Sequence, residues 1–108
     1  MELHLGAVVI VGHGDWAGSA FRSTDGITFT PSKLPAKSKP LYGVTTMADG
    51  RLLAGGHEDL LLVSYDDGKS FRRLPHDLPP VSRSFGLFCQ HAGTTFGAGM
   101  FAHLVRFT

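Results

Sequence analysis

The sequence predicts an all-β chain built from repeated four-stranded antiparallel units. Three observations lead there. Short apolar runs alternate with turn residues throughout, in a chain of 108 residues with 43% hydrophobic residues, 14 Gly and 6 Pro, a composition suited to short strands and many turns. The stretch Ser64-Tyr65-Asp66-Asp67-Gly68-Lys69-Ser70-Phe71 reads as a tight hairpin turn, with a weaker copy at Arg22–Phe29. Similar glycine-bearing markers also recur at a nearly constant spacing along the chain.

The turn is justified by its flanks and by its residues. Leu60-Leu61-Leu62-Val63 precedes it and Phe71-Arg72-Arg73-Leu74 follows it, so two strand-like runs meet at Asp66-Asp67-Gly68. Gly68 accepts positive φ without steric cost and closes a type I turn with a bulge. The Asp66 carboxylate and the Ser64 hydroxyl satisfy nearby turn amides. Phe71 leaves the turn on the apolar side, where it can pack between neighbouring sheets.

The repeat sets the order of the elements. Gly26 and Gly68 lie 42 residues apart, Gly12-His13 and Gly56-His57 lie 44 apart, and both Gly43/Gly86 and Gly56/Gly99 lie 43 apart. That period matches the roughly 40–45 residues of a four-stranded propeller blade. In the second copy, strands are expected at Leu41–Met47, Arg51–Gly55, Leu60–Tyr65 and Phe71–Leu74. Ala48-Asp49-Gly50 forms the first turn, Gly56-His57-Glu58-Asp59 a short connection, and Pro75 and Pro79-Pro80 the stop. The first copy starts late. Ala7–Val11 and Ser19–Ser23 match the second and third strands, joined by a connection from Gly12 to Gly18 that is two residues longer and carries Trp16. Its turn keeps Gly26, Thr28 and Phe29, and places Arg22 and Thr24 where the serine and aspartate belong, so its hairpin is expected to be less well tied. Pro31–Pro40, with three lysines and three prolines, reads as a surface linker. The third copy has strands near Phe85–Gln90, Thr94–Ala98 and His103–Phe107, with Ala92-Gly93 between the first two and Cys89 expected to be buried.

Strands then number three, four and three. The expectation is a single segment over 1–108, with repeats at about 1–34, 35–80 and 81–108: a partial β-propeller of four-stranded antiparallel blades, about two and a half in all. A closed propeller needs at least four blades, and a repeat needs neighbours to bury its faces. Either this is a piece of a longer chain or copies assemble as a homo-oligomer that completes the ring, and open strand edges favour association in both cases.

Charge and cysteine usage narrow the function classes. A net charge of +1 gives no electrostatic case for nucleic acid or an anionic membrane as partner. Cys89 is the only cysteine, so no intrachain disulfide or cysteine metal cluster forms, and the compartment stays open. The apolar run Leu5–Val11 is too short to span a bilayer, and Glu2 stands where a signal peptide would carry basic residues.

The pattern Ser64-x-Asp66-x-Gly68-x-Ser70-Phe71 resembles the Asp-box, or bacterial neuraminidase repeat, with every position filled. The degenerate copy contributes Asp25, Gly26, Thr28 and Phe29. The resemblance implies that these residues are structural and that Asp66 is not a catalytic acid. The layout of copy two, Leu41-Tyr42-Gly43-Val44, then Asp49-Gly50-Arg51-Leu52-Leu53-Ala54-Gly55-Gly56-His57, then Leu61 to Phe71, is similar to repeats of the photosystem II stability and assembly factor group and its bacterial relatives, which implies a non-enzymatic scaffold. Asp-boxes also occur in sialidases and xyloglucanases, so a fragment of a glycoside hydrolase is the alternative. Sialidase chemistry requires an arginine triad and a tyrosine nucleophile with a glutamate. No Phe/Tyr-Arg-Ile-Pro motif is present, and Tyr65 lies inside the box, on the wrong face.

In a propeller the connections between second and third strands share one face with the linkers, opposite the Asp-boxes. The repeated Gly12-His13-Gly14-Asp15 and Gly56-His57-Glu58-Asp59 therefore mark the ligand face, with Trp16, Lys37, Lys39 and Arg83 nearby. Candidate ligand-binding residues are His13, Asp15, Trp16, His57 and Asp59, for a protein or carbohydrate. Trp16 is suited to stacking on a sugar, although tryptophan more often simply packs. Asp15 and Asp59 are the candidate acids if a two-carboxylate glycosidase is present. His and Asp also serve simply to close such connections. Metal ligation is disfavoured because Met100 replaces the histidine in the third copy, and no cofactor is expected.

Overall fold

The computed structural model describes residues 2–4, 7–57, 60–74, 85–99 and 104–107. Within them the chain is all-β, with three antiparallel sheets. The first holds β1 (Glu2–His4), β2 (Ala7–Gly14), β3 (Ala17–Ser23) and β4 (Thr30–Pro31). The second holds β5 (Leu41–Thr46), β6 (Leu52–Gly56), β7 (Leu61–Ser64) and β8 (Arg72–Arg73). The third holds β9 (Phe85–His91), β10 (Thr94–Gly99) and β11 (Leu104–Phe107). Each sheet is a meander in chain order, the arrangement that short hairpin connections impose.

Among the described residues the strand count is therefore four, four and three, not three, four and three. The strand missing from the expected first copy is β1, which pairs Glu2 with Val9 and His4 with Ala7. Glu2-Leu3-His4 alternates polar and apolar residues but is too short to read as a strand of its own, and pairing with β2 decides the matter.

Pairing register repeats between sheets. Val8 pairs with Ser23, Val9 with Arg22 and Ile10 with Phe21. In the second sheet Leu52 pairs with Ser64, Leu53 with Val63 and Ala54 with Leu62. In the third, Thr95 pairs with Phe107, Phe96 with Arg106 and Gly97 with Val105. By this register Gly12 and His13 match Gly56 and His57, as expected from the sequence. Gly86 is the bulged residue of β9, between Phe85 opposite Gly99 and Leu87 opposite Ala98. It therefore corresponds to Tyr42 of β5 rather than to Gly43.

The second sheet forms the centre. Every residue of β6 and β7 is buried, and the two-residue period sends alternate side chains to opposite faces. Leu52, Ala54 and Leu62 join Val44, Leu60 and Phe71 against Val9 and Ala20 of the first sheet. Leu53 and Leu61 join Met47 on the other face, with Leu74 and with Phe88 of the third sheet packed against them. Phe71 thus packs between sheets, as its place after the turn predicts. Leu52 and Leu62 are fully enclosed, and truncating such a leucine to alanine costs about 2–5 kcal/mol.

The segment from Pro31 to Pro40 is not the surface linker its composition suggests. Pro31 belongs to β4, and Ser38 and Pro40 are buried. Lys33 forms a parallel bridge with Ser70: its amide donates to the Lys69 carbonyl at 3.0 Å, and its own carbonyl accepts from the Phe71 amide at 2.8 Å. The Ser32 hydroxyl donates to the Gly68 carbonyl, the Gly18 amide donates to Ser38 and the His57 amide donates to Pro40. The segment is stitched between two sheets mainly through backbone groups, with the Ser32 hydroxyl added, which composition does not report. Gly56 is required by this approach, because a Cβ there would collide with the Pro40 carbonyl.

Candidate functional site

Both acidic turns are held by a serine and an aspartate. In the second, the Ser64 hydroxyl donates to Asp66 Oδ1 (2.8 Å) and accepts from the Gly68 amide (2.9 Å), while Asp66 Oδ1 accepts from the Ser70 amide (2.9 Å) and Oδ2 from the Ser70 hydroxyl. Burial pushes the Asp66 carboxyl up, but the bonds from the Ser70 hydroxyl and amide and from the Ser64 hydroxyl outweigh it and hold the pKa at about 2. Asp67 and Gly68 are both left-handed, with φ of 65° and 86°, so two consecutive residues take the conformation expected of the glycine alone.

The first turn is tied in the same way by Ser23 and Asp25, not by residues at the positions of Arg22 and Thr24. The Ser23 hydroxyl donates to Asp25 Oδ1 (2.9 Å) and accepts from the Gly26 amide (2.8 Å). Asp25 Oδ1 also accepts from the amides of Ile27 and Thr28, both at 2.8 Å. The Thr28 and Ile27 amides and the Ser23 hydroxyl lower the Asp25 pKa. Aligning the copies on glycine shifts the match by one, because this turn is one residue shorter and its glycine directly follows the aspartate. Its serine–aspartate clasp matches that of the second, with the Ile27 and Thr28 amides in place of the Ser70 amide and hydroxyl, which corrects the expectation of a looser hairpin. Arg22 instead reaches across to the neighbouring turn. Its Nε donates to the Asp67 carbonyl (2.8 Å) and its guanidinium pairs with the Asp67 carboxylate (2.7 Å). It joins the first sheet to the turn of the second.

The opposite ends of the strands carry the other candidates. β2 and β3 run on through Gly14 and Ala17, which pair, so the expected connection from Gly12 to Gly18 shrinks to the two residues Asp15 and Trp16. Their φ values are 50° and 61°, the pattern of a type I′ hairpin turn. Asn-Gly is the residue pair that favours such a turn, and a bulky residue in the left-handed region is strained. Register also makes this connection three residues longer than its counterpart, since six residues separate Gly12 from Ser19 and three separate Gly56 from Leu60.

The strain presents an aromatic cluster. Trp16 is 64% exposed, and its ring meets the His57 ring edge-on at 4.9 Å. Tyr42, 39% exposed, stands edge-on to His13 at 5.6 Å and lies 6.4 Å from His57, with its hydroxyl 3.4 Å from His57 Nδ1. His13, Trp16 and His57 are therefore brought together across two sheets. Tyr42 is the residue sequence reasoning missed. It sits in the bulge between Leu41 opposite Gly56 and Gly43 opposite Gly55, and a bulge redirects a side chain without leaving a clear sequence signal.

Asp15 is exposed in the turn beside Trp16. The Lys39 backbone lies against Gly18, which pairs with His13, so Lys39 is near the cluster. Lys37 is exposed with φ of 59°. Asp59, Glu58, Arg83 and Met100 fall outside the described residues, as does the Cys89 side chain. Among the described residues no group of three His, Cys, Asp or Glu side chains is placed to hold a metal ion, and no helix is long and apolar enough to cross a membrane. Tyr65 lies at the far end, beside the second acidic turn, with the Arg72 guanidinium 4.5 Å from its ring centroid. No protein-family model, curated protein or solved structure matches the chain.

Proposed function

We propose that the chain is a segment of an Asp-box β-propeller that serves as a non-enzymatic binding or assembly scaffold, with His13, Trp16, Tyr42 and His57 forming its contact surface for a protein or carbohydrate ligand. The single observation that carries this reading is Trp16. A tryptophan held at positive φ, mostly exposed, with its edge set against a histidine of the next sheet, is kept against its conformational preference. Strain of that kind gathers at ligand contacts, and exposed aromatic rings supply large contact areas at low entropic cost. The propeller part of the reading draws on the repeated register, the matching ties of the two acidic turns and the face-to-face packing of the sheets.

Replacing Trp16 by glycine separates the two roles. The Trp16→Gly chain should gain about 0.5–1 kcal/mol in chemical denaturation, because glycine relieves the left-handed strain. It should also lose ligand contacts. In a titration followed by the Trp16 indole resonance of the parent chain, sialyllactose, a xyloglucan heptasaccharide and proteins captured by the parent chain serve as probes. Capture that persists in Trp16→Gly, together with an indole unmoved by every probe, overturns the surface. Release of a coloured aglycone from a sialoside or xyloglucan-type substrate, lost in Asp15→Asn, favours a glycoside hydrolase instead.

A further inference from the structure

The packing between sheets has a direction. Aligned by register, Val8, Ile10 and Phe21 of the first sheet stand where Leu52, Ala54 and Leu62 stand in the second. Those three residues of the second sheet form its rear face, packed on Val9 and Ala20 of the first. In the third sheet Phe88, at the position of Val44, packs in the same sense on Met47, Leu53 and Leu61. Each rear face thus rests on the forward face of the sheet before it. Among the described residues the first sheet's own rear face has no such cover. Phe21 is 39% exposed, beside half-buried Val8 and Ile10. At the other end, the register places Phe96 and Leu104 of the third sheet at the forward positions that Leu53 and Leu61 hold in the second.

We propose that the first sheet's rear face, centred on Val8, Ile10 and Phe21, docks the third sheet of a second copy of this chain in a head-to-tail pair. The occupant is a second copy because the chain itself carries both halves of the contact, in the register it already uses twice internally. A heterologous contact of this kind closes only if its rotation allows. Closure at two copies rests on the propeller reading: two copies supply six sheets, within the about four to eight of closed rings.

The test is the solution mass of the full chain by sedimentation across micromolar concentrations. The expected mass is twice that of the chain. Phe21→Asp and Leu104→Asp, each breaking one half of the contact, should raise the dissociation constant at least about tenfold. Mixing these two variants restores one intact contact and should recover part of the pair, which a dimer built from two identical first-sheet faces would not do. Ile27→Asp, 84% exposed and outside this face, should leave the mass unchanged. A parent chain that sediments at single mass with its strand signal intact overturns the proposal, as does a mass that grows past two copies with concentration. Nuclear Overhauser contacts from Val9 to Leu52 and from Leu53 to Phe88 separate the failures. If they are present in a single-mass chain, the docking alone is wrong; if they are absent, the sheet stacking behind the propeller reading is wrong.

Discussion

The Ser23–Thr28 and Ser64–Ser70 turns share a serine–aspartate clasp and sit in different surroundings. In the first, a Cβ added at Gly26 would meet nothing within 4 Å, and Ile27 at its tip is almost fully solvated. In the second, a Cβ at Gly68 would stand 2.8 Å from Val9 Cγ2 and 3.2 Å from Leu52 Cδ1, and the Arg22 side chain grips Asp67 from the neighbouring sheet. The serine–aspartate clasp is thus autonomous, working alike in solvent and against a core. The demand for glycine is not. At Gly26 it is conformational, φ being 74°; at Gly68 it is conformational and steric together.

The largest test of that difference is alanine at each glycine. Gly68→Ala, strained in φ and pressed into Val9, should cost about 3 kcal/mol, whereas Gly26→Ala should cost about 1 kcal/mol, both read from denaturant midpoints. Equal losses would mean that the seat against the first sheet is unimportant. Next comes the bridge between them. A double-mutant cycle on Arg22→Ala and Asp67→Ala should return a coupling of about 1 kcal/mol, modest because both side chains remain partly in solvent. A coupling near zero would leave the two turns energetically independent.

The smallest effect is set by pH. The folded-state pKa of Asp66, about 2, lies below the ordinary 3.8. Its contribution is therefore complete above pH 3.8 and lost as pH falls towards 2. Carboxyl titration by NMR should show Asp66 ionising near pH 2, and Ser70→Ala should move it back towards the ordinary value. Asp25 should also titrate below 3.8, but Thr28→Ala should barely move it, because the Thr28 tie is a backbone amide. A large response to Thr28→Ala would show that the Thr28 hydroxyl holds Asp25 as the Ser70 hydroxyl holds Asp66, so that the two clasps share their chemistry.

How much was legible follows from where the information lies. The second turn is contiguous, so Ser64, Asp66, Gly68 and Ser70 could be read with their roles. In the first, glycine looked like the natural landmark, yet the hydrogen-bonding oxygens of Ser23 and Asp25 define the turn and the glycine can slide by one residue. The hairpin at Asp15-Trp16 was hidden because Trp16, where glycine is the usual residue, disfavours its backbone conformation. His13, Trp16 and His57 were found through the repeated Gly-His pair and a lone tryptophan, while Tyr42 depends on a bulge that only strand pairing creates. The three-sheet all-β organisation could be read from apolar runs and turns. The main-chain ties made by Lys33 and Ser38 could not, because backbone amides and carbonyls carry no residue identity.

Lys33, bonded on both sides to the strand that leaves the second acidic turn, makes the chain between the first two sheets a seam rather than a tether. Pulling either sheet away must first tear main-chain bonds at Lys69 and Phe71, so the two should melt as one cooperative block. In native-state hydrogen exchange, the amides of Lys33 and Phe71 should then open only with the core strands β6 and β7, not with the neighbouring loops.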